Sequence, residues 1–152
     1  MTAPYVGGCQ CGAVRFEITA EPVTAYVCHC RDCQKQSASA FGMSVTFPAS
    51  AVKVTKGHLK RWCRPAASGA DVFCDFCENC GSRLFHGKDV RPEFINLKAG
   101  ALDDPSWVRP VAHVWTQRRQ SWVTMPEDVV TFEAQPEDPL ALFKAWEARH
   151  AQ

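Results

Sequence analysis

The chain has 152 residues, 46% hydrophobic and 22% charged, which suits one globular domain large enough to bury a core. Seventeen Lys plus Arg against sixteen Asp plus Glu leave a formal net charge of +1, which offers no field to gather nucleic acid or an anionic membrane surface. No apolar run is long enough to span a bilayer, and MTAPYVGGCQCG lacks the basic start and apolar stretch of a signal peptide, so a soluble cytoplasmic protein is expected.

Along the chain, Val14, Phe16 and Ile18 alternate with Arg15, Glu17 and Thr19, and the same period of two returns at Met43, Val45 and Phe47 and at Val52 and Val54. Such alternation predicts half-buried strands. Further strands are expected over 58–63, 72–76, 83–86, 94–97 and 111–116, separated by Gly, Pro, Asp or Asn. The sum is an antiparallel, mostly β domain. Two stretches depart from it. Residues 31–40, following a group of cysteines, suit one or two helical turns with Cys33 near the start. The tail over 138–149, DPLALFKAWEAR, predicts a terminal amphipathic helix, with Asp138 as cap, Pro139 in the first turn and Leu142 meeting Trp146 at i,i+4.

Nine cysteines, about 6% of the chain, exceed ordinary usage yet fall below the density of a small disulfide scaffold. Their number is odd, and in a reducing compartment clustered thiols persist as thiols or metal-bound thiolates, so metal binding is the leading account. They sort into C-x-C (Cys9, Cys11), C-x-C-x-x-C (Cys28, Cys30, Cys33) and C-x-x-C-x-x-C (Cys74, Cys77, Cys80), with Cys63 alone. In a strand, C-x-C puts both side chains on one face, whereas C-x-x-C converges through a tight knuckle, here followed by glycine in CENCGS. The simplest partition pairs Cys9 and Cys11 with one C-x-x-C of the later cluster as a closed, structural tetrathiolate. Cys28, Cys30 and Cys33 then form a three-thiolate site with an open fourth position, as expected of a reactive zinc. The alternative completes that site with Cys63, Cys74 or a histidine, making both metals structural. Three thiolates also make zinc a poor electrophile, which favours thiol chemistry over peptide hydrolysis.

The segments GGCQCGAVRFE, CHCRDCQKQSASAFG, FCENCGSRLF, AGALDDP and RPVAHVW followed by SWV, running from Gly7 to about Val123, resemble the glutathione-dependent formaldehyde-activating enzymes, the Gfa/CENP-V family. The resemblance implies a mostly β, Mss4-like zinc-binding fold with short helical turns and a C-terminal helix. Taken with the helical pattern of the tail, a zinc-binding β domain is expected at 5–135 and a C-terminal helix packed on it at 136–152. The resemblance further implies two zinc ions, a structural one held by Cys9, Cys11, Cys77 and Cys80 and a catalytic one held by Cys28, Cys30 and Cys33. The implied activity is that of a carbon–sulfur lyase joining glutathione to formaldehyde as S-hydroxymethylglutathione. The alternatives are the same fold and zinc sites acting on a different thiol or electrophile, and a non-catalytic zinc-stabilised binding module. The expected partners are small molecules, a thiol such as glutathione and a small aldehyde, with neither nucleic acid nor membrane.

The remaining polar and aromatic residues read more plainly. His29, between two site cysteines, should point away from the metal and serve packing or support. His113 in AHVW suits an ordinary structural hydrogen bond, and His58 and His86, near turn glycines, suit the surface. Trp107, Trp115 and Trp122 read as core or pocket wall. Arg31, Arg64, Arg83, Arg109, Arg118 and Arg119 are candidates for the glutathione carboxylates, and no spacing singles one out. Cys63 and Cys74 read as small core residues.

Overall fold

The alternating run around Phe16 forms a short strand whose inward residues, Phe16 and Ile18, are buried. Similar short strands are the commonest element of the computed structural model, which describes residues 2–66, 69–88 and 92–151. They form eleven strands in two sheets, with two α-helices. The chain divides into two units, one from 1–22 and 46–107, the other from 23–45 and 108–152.

In the first unit, β1 (Tyr5–Gly8), β2 (Arg15–Ile18) and β5 (Val52–Lys56) pair antiparallel in the order β1-β2-β5. Strand β1 carries two glycines and little alternation, so the sequence pattern hides it. Its Gly7 is required by space: a Cβ there would lie 2.2 Å from the Ala101 carbonyl oxygen and 2.5 Å from the Phe16 ring. Strand β5 is more exposed than its alternation suggests, with Val54 at the surface. The same unit holds an antiparallel ladder of β6 (Lys60–Pro65), β7 (Asp71–Phe76), β8 (Arg83–Gly87) and β9 (Phe94–Lys98). The end of β4 (Gly42–Pro48) follows β9 in the strand order. Leu84, Phe85, Leu97 and Phe47 are buried here, and the Phe16 ring meets Phe85 edge-on at 5.1 Å. This apolar face holds the short strands together, since each alone buries too little to persist.

In the second unit the order is β11 (Val130–Phe132), β10 (Ala112–Val114), β3 (Thr24–Cys28) and the start of β4. Strand β10 runs parallel to both β3 and β11, so the expectation of an antiparallel domain fails here. A tight hairpin would force these strands antiparallel, but a long connection separates β3 from β10 and leaves either direction open. The strand expected to run on to residue 116 stops at Val114, because Trp115 takes φ 60° and a 3-10 turn, Thr116–Arg118, follows.

Helix α1 (Arg31–Ser37) starts where expected and ends at Ala38, which adopts φ 48°. Helix α2 (Ala141–His150) begins later than expected. Asp138 accepts a hydrogen bond from the Leu140 N–H through Oδ1 (2.9 Å) and from the Ala141 N–H through its carbonyl (3.1 Å), so it shapes the turn before the helix instead of capping it. No residue of α2 is fully buried; the Leu142 carbonyl accepts the hydroxyl of Thr24 at 3.0 Å. Among the described residues no helix is long and apolar enough to cross a membrane.

Candidate metal centres

In the first unit, two tight turns present four sulfurs. Cys9 follows β1, and its carbonyl accepts the Gly12 N–H (3.1 Å); Cys77 follows β7, and its carbonyl accepts the Gly81 N–H (2.8 Å). Both glycines lie at φ 72°, with no neighbouring atom to crowd a side chain. Backbone conformation therefore calls for them. The turns are tied together by the Gln10 N–H donating to Ser82 Oγ (3.2 Å). Cys9, Cys11, Cys77 and Cys80 place their ligand atoms all within 4.8 Å of one another. The Cys9–Cys11 and Cys11–Cys77 sulfurs are 3.5 and 3.8 Å apart. A tetrahedral zinc with bonds of about 2.3 Å sets its sulfurs about 3.8 Å from each other, far beyond disulfide length, so this donor set fits the ion. At Cys80 hydrogen bonding favours the thiolate: the Ser82 hydroxyl 3.2 Å away, then the Ser82 and Cys11 N–H groups, bring its thiol down to about 5.

In the second unit, Cys28 closes β3, Cys30 is the N-cap of α1 and Cys33 lies in its first turn. The Cys33 N–H donates to Cys30 Sγ at 3.3 Å, so helix initiation itself folds two of the sulfurs together. All three sulfurs lie within 4.8 Å of one another; Cys28 is buried and the other two are half-buried. Among the described residues no fourth Cys, His, Asp or Glu joins them, and neither group includes Cys63, Cys74 or a histidine. The hydrogen bond from Cys28 and then that from Cys33 draw the Cys30 thiol down to about 2, while the bond to Cys30 pushes the Cys28 thiol far up. Three thiolates this close repel one another and coexist only around a cation. Soft sulfur donors at this separation suit zinc.

His29 belongs to neither group. It is fully buried, its N–H donates to the Val114 carbonyl (3.0 Å), and its Nε2 lies 2.9 Å from Nδ1 of His113. Burial first, then His113 and Arg119, lower its pKa to about 4. Burial, then Arg119, lowers His113 as well, so both rings are held toward the neutral form, and His113 makes a side-chain hydrogen bond of the kind expected for it. His58 is exposed beside Glu78. His86 departs from the surface expectation: its Nδ1 is buried, because β8 lies inside the ladder between β7 and β9. Cys74 is buried as expected, but Cys63 is exposed, on the strand that ends the sheet order. Trp107 and Trp115 are half-buried; Trp122 stands 73% exposed and is no core residue.

Of the candidate cations, Arg31, Arg109, Arg118 and Arg119 share the second unit with the three-thiol group, whereas Arg64 and Arg83 lie in the first. Sequence patterns gave no sign of the His29–His113 pair or of Gln34, which bonds to the carbonyls of His29 and Arg118. Both depend on residues brought together from distant parts of the chain.

Fold and sites together define a mostly β protein with two cysteine groups able to hold metal ions. A model of the family described as glutathione-dependent formaldehyde-activating enzyme matches residues 4–118, and the chain belongs to that family. Its fold is also similar to that of a Rhodobacter sphaeroides protein of known crystal structure, with 24% identity and a TM-score of 0.51 over 69% of this chain and 91% of that one.

Proposed function

We propose that the protein joins glutathione to formaldehyde, as a carbon–sulfur lyase working in the direction of synthesis, with the Cys28, Cys30 and Cys33 group as its reactive centre and the Cys9, Cys11, Cys77 and Cys80 group as a structural zinc site. The observation that carries this is the contrast between the two groups, four sulfurs in one and three in the other, in a chain of this family. In the reaction the thiol sulfur bonds to the aldehyde carbon, the carbonyl π pair moves to oxygen, and the thiol proton ends on that oxygen. A zinc ion held by the three sulfurs would supply positive charge that stabilises a thiolate or polarises an aldehyde oxygen. The chain's own part is to converge the three thiolates from one strand end and one helix start, and to leave Cys30 and Cys33 partly accessible to substrate. The proximity of bound thiol and aldehyde then provides the rest of the acceleration.

Cys30→Ser tests this assignment, because serine preserves the helix cap while removing a soft ligand. The expected outcome is loss of the enzyme-dependent rate of S-hydroxymethylglutathione formation, measured by exchange NMR against the spontaneous reaction, with one zinc per chain retained. A wild-type rate in the variant would sink the assignment.

A further inference from the structure

Gln34 directly follows Cys33, and its carboxamide is saturated. Nε2 donates to the carbonyls of His29 (2.7 Å) and Arg118 (2.9 Å), while Oε1 accepts from Arg31 Nη1 (2.8 Å) and Gln120 Nε2 (3.1 Å). A carboxamide has two donors and two acceptor lone pairs, so no capacity remains. The first of these bonds grips the peptide between Cys28 and Cys30. Since the His29 N–H is already held by Val114, both polar groups of that residue's backbone are pinned, and with them the spacing of the C-x-C sulfurs.

The other arm grips residues 118–120. That segment leaves β10 through Trp115, whose φ of 60° is unfavourable for a bulky residue and persists only where surrounding contacts impose it. Arg119 Nη1 donates to the carbonyls of Gln120, Ser121 and Val123, drawing the segment into a tight loop that carries the exposed Trp122. Gln34 thus joins this loop to the helix that bears Cys33.

We propose that Gln34 is the positioning residue of the three-thiol centre: it sets the spacing of Cys28, Cys30 and Cys33 and holds the 118–122 loop beside them as the wall that receives the thiol substrate. This rests on the function proposed above. A glutamine that merely stabilised the turn would affect melting, yet leave the metal's electronic environment and the thiol KM untouched.

The test uses the cobalt-substituted full chain, in which sulfur-to-cobalt absorption reports each thiolate set; subtracting the Cys30→Ser spectrum isolates the three-thiol set. Gln34→Glu keeps the side chain's shape but has no donor for the two carbonyls. Such a loss of support should weaken cobalt binding at the three-thiol set about tenfold and shift its absorption, leaving the four-thiol set unchanged. Gln120→Ala should leave the cobalt spectrum as in the wild type while raising KM for glutathione several-fold at unaltered kcat. A folded Gln34→Glu protein with wild-type cobalt absorption and affinity overturns the proposal, as does a wild-type KM in Gln120→Ala. Should Gln34→Glu fail to fold, Gln34→Asn, whose shorter reach also breaks the bonds, is judged by the same criteria. If the wild type does not turn over glutathione and formaldehyde, the proposed function fails, and the cobalt measurements alone decide the role of Gln34.

Discussion

His86 sits on β8 with Cys74 opposite it on one neighbouring strand and Asn96 on the other, and its Nδ1 is buried without a hydrogen-bond partner. Burial, then the charges of Lys98, Arg83 and Arg64, push its pKa well below the ordinary 6.5. The folded state therefore keeps the ring neutral, while the unfolded chain takes up a proton below about pH 6.5. Unfolded protein binds more protons in that range, so stability is fully present above pH 6.5 and falls as the pH drops beneath it, by up to about 1 kcal/mol per pH unit. His86→Gln removes this contribution, and urea titrations at pH 5 and 7 should show a smaller acid-induced loss than in the wild type; an equal loss would contradict it. A histidine beside turn residues gives no sequence sign of such burial, since exposure depends on which strands lie on either side. Cysteine spacing is more legible: in C-x-C and C-x-x-C, the separation of the sulfurs is largely a property of the local backbone.

At the scale of elements, a strand that alternates clearly, such as β2, is visible because one face is buried and the other is not. Strand β4 buries residues of both parities, Ser44 and Thr46 beside Val45 and Phe47, and β3 is similar. Alternation alone understates such strands. Strand β1 is held by the close approach of Gly7 to Ala101, which no periodicity records. Gly7→Ala would force the added methyl into backbone and the Phe16 ring, and should destabilise the protein by about 1–3 kcal/mol. A denaturant midpoint equal to the wild type's would show that β1 shifts freely.

At the scale of the molecule, the four-thiol group links residues 9–11 to residues 77–80 within one unit. A metal bound only by the folded arrangement adds its binding energy to folding, so its removal should cost several kcal/mol. At about 2–4 °C per kcal/mol for a chain of this size, thermal melting after treatment with a strong chelator should show a drop on the order of 10 °C. An unchanged midpoint after confirmed metal loss would refute a structural role.

The sequence by itself determined the mostly β class, the family and the local sulfur groupings, because alternation, motif order and cysteine spacing act over a few residues. Only the tertiary structure decided that β10 runs parallel to β3, that His29 pairs with His113 and that Gln34 reaches the 118–120 segment. Each of these is a contact between residues far apart in the chain, formed when short strands bury their apolar faces together, and no local pattern encodes which partners that burial selects.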